Sequence, residues 1–226
     1  MHRVCQFICA VAITLPFVGG QALAQSGGAG AVPPKEPQPH EPMPVDGSKT
    51  VSATPSEGHW QLDFKLGELR LYRDPESGVS YWYLTYKVIN RTGQDRWWGP
   101  KFELLDDHGR LRRAGRDVPV IVTKRIEALI GNPLVEDQYQ VLGEIRQGEA
   151  NAKESFLVWP AGEMDATELH LFARGMSSEI STVADPKTGE SHVLHKTLRC
   201  DFRVSGDPAA RGSDPVECEL SQWIMR

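Results

Sequence analysis

Cysteine is scarce in this chain, with four among 226 residues, at positions 5, 9, 200 and 218. No two of them form a C-x-x-C pair, the spacing typical of zinc sites and dithiol redox centres. The sequence also lacks the G-x-S-x-G of serine hydrolases, the H-E-x-x-H of zinc proteases and the glycine-rich phosphate loop. Motifs therefore predict no metal, no cofactor and no catalytic residue.

The chain has no apolar run long enough for a membrane span. The run FICAVAITLPFV, at 7–18, contains Pro16, whereas a spanning helix needs about 20 apolar residues. Arg3 before this run and ALA at 22–24 after it, a small-x-small cleavage site, are typical of a secretory signal peptide. We therefore predict that residues 1–24 are a signal peptide. The mature chain is then periplasmic or extracellular and is not inserted in a membrane.

The chain has fewer positively than negatively charged side chains, 25 Lys and Arg against 30 Asp and Glu. Removal of the signal peptide takes away Arg3 and no acid, so the balance becomes 24 − 30 = −6. Because an acidic chain is a poor ligand for nucleic acid, we expect no nucleic-acid partner.

Aromatic residues are absent from residues 26–57, which hold seven prolines between Pro33 and Pro55. A segment with so little apolar surface cannot offset the entropy lost on ordering. All six tryptophans lie from Trp60 onward. The composition therefore predicts a disordered Pro/Gly-rich spacer at 25–57 and one domain at 58–226.

Within that domain the dominant hydrophobic period is two, which is typical of β-strands. Residues 60–89 predict a long hairpin, with a β-bulge at Gly67 and a tight turn in DPESG at 74–78. ESFLVWP, at 154–160, is apolar on both faces and predicts an interior strand.

One segment has helical spacing instead. DVPVIVTKRIEALIGNP, at 117–133, predicts an amphipathic helix over about 117–130, with Asp117 as its N-cap and Gly131 at its end. With the strands around it, this helix indicates a mostly β fold. We predict an antiparallel immunoglobulin-like β-sandwich of about eight or nine strands with one short helical insertion.

Three stretches carry a resemblance to a known group of proteins: YWYLTYKVINRTG, KFELLDDHGRL and VLGEIRQGEANAKESFLVWPA. This succession, within about residues 80–175, resembles small exported bacterial immunoglobulin-like domains of unknown function. The resemblance implies the same fold and supplies no catalytic residues.

Trp97 and Trp98 are the candidate ligand-binding residues. Adjacent strand residues point to opposite faces, so at most one of the two is naturally part of the core. An exposed tryptophan could stack on a sugar or a peptide. We favour the alternative, in which Gly99 and Pro100 end the strand and both rings cover an open end of the core.

Asp106, Asp107 and His108 are the second candidate cluster. They fall at the tip of a predicted hairpin, and no spaced partner motif accompanies them. We interpret them as a solvated turn and not as a metal site.

Cys200 and Cys218 are the two cysteines left after cleavage. Folding the chain about residue 209 places them opposite each other on one apolar face. We therefore predict a disulfide between them, since an exported protein meets an oxidising environment.

Two function classes remain. The first is an exported non-enzymatic protein of the cell envelope or the medium, a binding or structural module whose partner is an unknown protein or glycan of the envelope. The alternative is a hydrolase or lyase with an acid-based site assembled from Glu103, Asp106 and Asp107. The absence of a catalytic motif favours the first class.

Overall fold

The computed structural model describes residues 49–51, 54–207 and 210–226. They form a mostly β protein with one short helix, so the coarse fold class is confirmed. The predicted signal peptide and the predicted spacer up to residue 48 lie outside the described residues. Within the described ranges, no helix has both the length and the apolar character that crossing a membrane requires.

The strands form a five-stranded, a six-stranded and a two-stranded sheet. In chain order they are β1 (Lys49–Val51), β2 (Asp63–Arg73), β3 (Ser80–Ile89), β4 (Arg96–Trp98), β5 (Lys101–Asp106), β6 (Leu111–Arg113), β7 (Val135–Glu136), β8 (Gly143–Ile145), β9 (Lys153–Pro160), β10 (Glu168–Arg174), β11 (Ile180–Ala184), β12 (Ser191–Arg203) and β13 (Cys218–Met225). The helix α1 spans Val120–Ile130 and follows β6.

The first sheet has the order β1-β2-β3-β9-β7 and is built on the β2–β3 hairpin, which confirms the hairpin predicted at 60–89. The register shifts between Leu66 and Leu69, so the predicted bulge is also confirmed. At the bulge, a Cβ atom on Gly67 would lie 2.2 Å from Oγ1 of Thr85 and 2.5 Å from its carbonyl oxygen. Glycine is required there because the two strands approach too closely for a side chain.

The strand β9 pairs with β3 on one side and with β7 on the other, and it is buried on both faces. This confirms the predicted interior strand. Phe156 and Val158 pack against α1, while Leu157 and Trp159 belong to the cluster on the opposite face.

The second sheet has the order β11-β12-β10-β5-β6, and β13 also pairs with β12. Its central strands β5 and β10 and the second half of β12 carry buried apolar residues, among them Leu104, Leu171 and Leu198. These residues and the inward residues of β2, β3 and β9 form one hydrophobic cluster. The two large sheets therefore share a core.

The helix α1 confirms the predicted helix but begins later than expected. Its N-cap is Pro119, whose side chain makes no capping bond, and Asp117 has a φ of 61°. The prediction of Asp117 as N-cap is therefore wrong. Gly131 ends the helix with a φ of 66°, as predicted. Arg125 forms ion pairs with Asp74 and Glu76, which join the helix to the turn of the β2–β3 hairpin.

The strand β1 lies within the segment predicted as a spacer. Its three residues pair antiparallel with Phe64–Leu66 of β2. The folded part of the chain therefore begins before residue 58.

The pairing of β12 with β13 differs from the predicted register. At the start of β13, Cys218 lies opposite Phe202 and not opposite Cys200, and Glu219, an extra residue at a bulge, shifts the pairing by one more position so that Cys200 lies opposite Ser221. Diagonal neighbours have Cβ atoms up to about 7–8 Å apart, beyond the separation of about 3.5–4.5 Å usual in disulfides. The predicted register is therefore wrong, and no disulfide joins these two described cysteines in the structure.

The bulge at 67 supplies a test of the first sheet. We expect Gly67→Ala to lower the free energy of unfolding by about 2–3 kcal/mol, because the new methyl group overlaps Thr85. Urea unfolding measures this difference. Gly212→Ala is the matched control, since a Cβ there has no atom within 4 Å, and it should stay within about 0.5 kcal/mol of wild type. Equal effects of the two substitutions would contradict the described bulge.

Candidate functional site

A cleft of about 240 Å³ opens beside the start of β5. The β5–β6 ladder begins at the pair Glu103 and Arg113, so Lys101 lies beyond the end of β6. The apolar lining of the cleft consists of Pro100, Phe102, Ala114, Leu142 and Leu157, and its polar lining of Lys101, Glu103, Arg113, Gln138 and Tyr139. An apolar hollow with a few polar groups is the usual form of a small ligand site.

Gln138 is the unusual residue of this cleft. Its side chain is 9% exposed. Neither the nitrogen nor the oxygen of its amide has a hydrogen-bond partner among the residues that the structure describes. A buried polar group without a partner costs about 1–3 kcal/mol, and such groups are rare in folded proteins. Both amide atoms have almost no accessible surface, so the protein itself encloses them.

The turn at 137–142 holds Gln138 in place. Asp137 accepts hydrogen bonds from the backbone N–H groups of Tyr139 and Gln140, at 2.8 and 2.9 Å. The hydroxyl of Tyr139 donates to the carbonyl of Gly115 at 3.2 Å. A Cβ on Gly115 would lie 2.0 Å from Nε2 of Gln138, so only glycine at 115 admits the amide at this position.

Trp97 and Trp98 lie on β4, next to the cleft along the chain. Trp98 is 1% exposed and packs edge-on against Tyr86, with ring centroids 6.3 Å apart, whereas Trp97 is 81% exposed. The alternation predicted for the pair is confirmed. The favoured interpretation, that both rings cover the core, is wrong for Trp97, because neighbouring strand residues face opposite ways.

The side chain of Asn90 holds the small β4–β8 sheet in place. Its Nδ2 donates to the carbonyls of Gln94 and Ile145, at 2.9 and 2.8 Å. Its Oδ1 accepts from Thr92 and from Nε2 of Gln147. Because Gly143 of β8 directly follows Leu142, this anchor also positions one wall of the cleft.

Asp106 lies at the β5–β6 hairpin tip, as predicted, but it is buried. Its carboxylate accepts hydrogen bonds from Arg110 at 2.7 Å and from Arg112 at 3.0 Å, as well as from two backbone N–H groups. Burial opposes ionisation, but these hydrogen bonds outweigh it and lower the pKa of Asp106. The prediction of a solvated turn is therefore wrong for Asp106.

Asp107 and His108 occupy the exposed part of the same tip. Asp107 accepts hydrogen bonds from the hydroxyl and the backbone N–H of Thr167, at 2.7 and 3.0 Å, and the hydroxyl bond is the main reason why its pKa falls to about 2. Oxygen and nitrogen atoms of Asp106, Asp107 and His108 lie within 4.8 Å of one another. Since Arg110, Arg112 and Thr167 bind the two carboxylates, ion pairs and hydrogen bonds account for this grouping.

Glu103 does not join these acids. It alternates with Leu104 on β5 and accepts a hydrogen bond from Arg226 at 2.6 Å. The three carboxylates of the enzymatic alternative are thus held by different partners, Glu103 apart from the other two.

Comparison with known proteins gives no relative, because no family model, no curated protein and no solved structure matches this chain.

Sequence reasoning missed Gln138 and Lys101. The Asp-Gln-Tyr-Gln turn is visible as turn chemistry, but its contact with Gly115 joins parts of the chain about 20 residues apart. The linear sequence does not show that β5 begins two residues before its pairing with β6. It therefore does not show that Lys101 lies beyond the end of β6.

The two tryptophans should differ in their effect on stability. We expect Trp98→Ala to cost about 3–5 kcal/mol, as for other large buried side chains. Trp97→Ala should remain within about 0.5 kcal/mol of wild type because its ring is exposed. Chemical denaturation of both variants decides this, and a large loss for Trp97→Ala would show that its ring is packed.

The charge of Asp107 should make stability depend on pH. Its pKa of about 2 is below the ordinary value of about 3.9, so its stabilising effect is full above about pH 4 and is lost as the pH falls towards 2. Asp107→Asn should therefore be less stable than wild type at pH 7, and the two should converge near pH 2. Urea unfolding across this range measures the difference, with the exposed Asp214→Asn as control. A difference in stability between Asp107→Asn and wild type that stays the same from pH 7 to pH 2 would contradict the lowered pKa of Asp107.

Proposed function

We propose that this chain is an exported, non-enzymatic binding module of the periplasm or the extracellular space, and that its ligand occupies the cleft beside β5. The observation that carries this proposal is the cleft itself, which combines an apolar lining, with Phe102, Leu142 and Leu157 in it, with polar side chains such as Lys101 and Tyr139. Burial of apolar ligand surface against this lining supplies free energy of binding.

The sheet orders support an immunoglobulin-like β-sandwich as the framework of this module. β2, β3 and β9 follow one another in one sheet, while β6, β5, β10 and β12 do so in the other. These orders correspond to strands A-B-E and C′-C-F-G of immunoglobulin-like sandwiches. They agree with the resemblance to small exported bacterial immunoglobulin-like domains. In that framework the cleft lies at the edge between the two sheets.

The partners of the acids favour binding over catalysis. An acid-based hydrolase or lyase needs a carboxyl group that is available to exchange a proton with the substrate. Asp106 is enclosed by two arginines, Asp107 is bound by Thr167, and Glu103 is bound by Arg226. Each of the three carboxylates is therefore already engaged in interactions that stabilise the fold.

The surroundings of the cleft suit a macromolecular partner, which we take to be a protein or glycan of the cell envelope. Trp97, Tyr139 and Leu142 are exposed and lie in the segments that border the cleft. Exposed aromatic residues beside an apolar hollow are typical of binding surfaces.

Capture from the native envelope tests this function. The exported protein, Leu142→Trp and Leu134→Trp are each immobilised and exposed to the same envelope extract. Both leucines are exposed, at 46% and 74%, but only Leu142 lines the cleft. We expect a component that wild type and Leu134→Trp retain and that Leu142→Trp loses, because the larger side chain fills the cleft.

The same sets of retained components for all three proteins, an empty set included, would contradict the proposal. Turnover of an envelope substrate by the wild type, lost on Asp107→Asn, would favour the enzymatic alternative instead.

A further inference from the structure

A second hollow, of about 290 Å³, lies on the face of the second sheet that points away from the core. Residues of β5, β6, β10 and β12 line it, together with Arg226, which follows β13. Its volume is close to the lower end of the range for small-ligand sites, about 300–1,000 Å³. The hollow is therefore large enough for a small polar group of a few heavy atoms.

The second hollow is strongly cationic. Its charged lining consists of Lys101, Arg113, Arg174, Arg226 and Glu103, a balance of 4 − 1 = +3. The whole chain, by contrast, has a net charge of −5. Because a concentrated charge of one sign in a concave site attracts ligands of the opposite sign, the hollow favours an anion.

Lys101 and Arg174 lie directly opposite each other on the paired strands β5 and β10. Residues at such positions have Cβ atoms about 4.5–5.5 Å apart, and like charges there destabilise the pairing. Neither side chain forms an ion pair with any residue that the structure describes. The fold therefore holds two positive charges side by side without an acid of its own to compensate them.

Glu103 is the one acid among the described residues that line the hollow, and it is engaged elsewhere. Its carboxylate accepts a hydrogen bond from Arg226 at 2.6 Å and lies 3.6 Å from the guanidinium of Arg113. These contacts occupy two of the four cations. The opposed pair on β5 and β10 therefore remains available to a ligand.

The charge of the opposed pair indicates which kind of anion fits it. A phosphate monoester carries a charge of about −1.5 to −2 at pH 7 and presents three acceptor oxygens, so a single group can compensate both side chains. Arginine binds phosphate through paired N–H donors, and lysine binds it as a point charge. A carboxylate carries one negative charge and can compensate only one of the two cations.

We propose that Lys101 and Arg174 form a binding site for a phosphate group, which is borne by a small soluble monoester or by a lipid headgroup. The phosphate lies between the two side chains and removes their mutual repulsion. This site is separate from the apolar lining of the cleft and does not depend on the function proposed for the cleft.

Two-dimensional NMR of the isotope-labelled exported protein tests the ligand class. The probe is glycerol phosphate, with acetate and chloride compared at the same ionic strength. We expect the backbone amide signals of Lys101 and Arg174 to shift in a saturable way with the probe, with a Kd of about 1 mM or lower, and acetate to bind at least about tenfold more weakly. Equal affinity for the probe and acetate, or no saturation up to about 10 mM, would overturn the proposal.

The double change Lys101→Gln with Arg174→Gln locates the binding. It should weaken binding of glycerol phosphate about tenfold, given the usual strength of two exposed ion pairs. The matched control is Lys187→Gln with Arg146→Gln, which removes an exposed lysine and an exposed arginine outside the hollow and should leave binding unchanged. The same loss in both double variants would show only a general charge effect and would overturn the assignment.

Urea unfolding separates recognition from a structural role of the two cations. At low salt without phosphate, the Lys101→Gln, Arg174→Gln variant should have a midpoint equal to or higher than that of the wild type, because it no longer holds two like charges opposite each other. Added glycerol phosphate should raise the midpoint of the wild type more than that of the variant. A lower midpoint for the variant without phosphate, or the same gain in both proteins, would overturn the proposal.

Vesicle co-sedimentation distinguishes the two sources of the phosphate group. Vesicles that contain phosphatidic acid are compared with vesicles of phosphatidylcholine alone. Selective binding to the first kind that the Lys101→Gln, Arg174→Gln variant loses assigns the site to a lipid headgroup. No binding to either kind, with glycerol phosphate bound, assigns it to a soluble ester.

The variant Leu142→Trp distinguishes failure of this inference from failure of the proposed function. Leu142 lines the cleft but not the second hollow, so this variant should bind glycerol phosphate as tightly as the wild type. Loss of phosphate binding in Leu142→Trp would place the anion in the cleft and overturn the assignment to the second hollow.

Discussion

The ring of Tyr86 is the point at which the three sheets meet. It stacks on Phe64 of β2 at 5.3 Å, contacts Phe102 of β5 at 5.1 Å and meets Trp98 of β4 at 6.3 Å. One side chain of the first sheet thus touches the second sheet and the small sheet. The placement of β5 against β3, and with it the position of the cleft, depends on this aromatic group.

Sequence periodicity predicted the parts of the fold that are local. The β2–β3 hairpin, its bulge at Gly67, the buried strand β9 and the helix all follow from alternation or from turn residues within short windows. The β12–β13 register could not be predicted, because Cys218 already pairs with Phe202, two residues from the expected Cys200, and the extra residue Glu219 then shifts the pairing again and turns Leu220 outward. A change of one residue leaves composition and periodicity almost unaltered but alters every later pair.

The candidate site could be predicted less well than the fold, and its charged side chains show the reason. The arginines that cluster in the sequence, such as Arg110 and Arg112, are engaged by Asp106 and its neighbours. The cations left available, Lys101 and Arg174, lie 73 positions apart and meet only because β5 and β10 pair. The position of the Gln138 side chain likewise depends on Gly115, which is distant in the sequence and leaves room for the amide. The local sequence does not identify such residues, because their role depends on which other residues the fold places beside them.

The pairing of β3 with β9 has a consequence for the order of folding. Trp82 lies opposite Trp159, so this contact closes a loop of 159 − 82 = 77 positions, whereas the β2–β3 hairpin closes within a few residues. Loop closure of this length makes non-local strand pairing slow compared with hairpin formation. Until β9 docks, one edge of β3 remains open and the aromatic faces of the hairpin remain in water. Docking of β9 is therefore a slow, non-local step, and before it occurs the open edge of β3 can pair with a wrong strand.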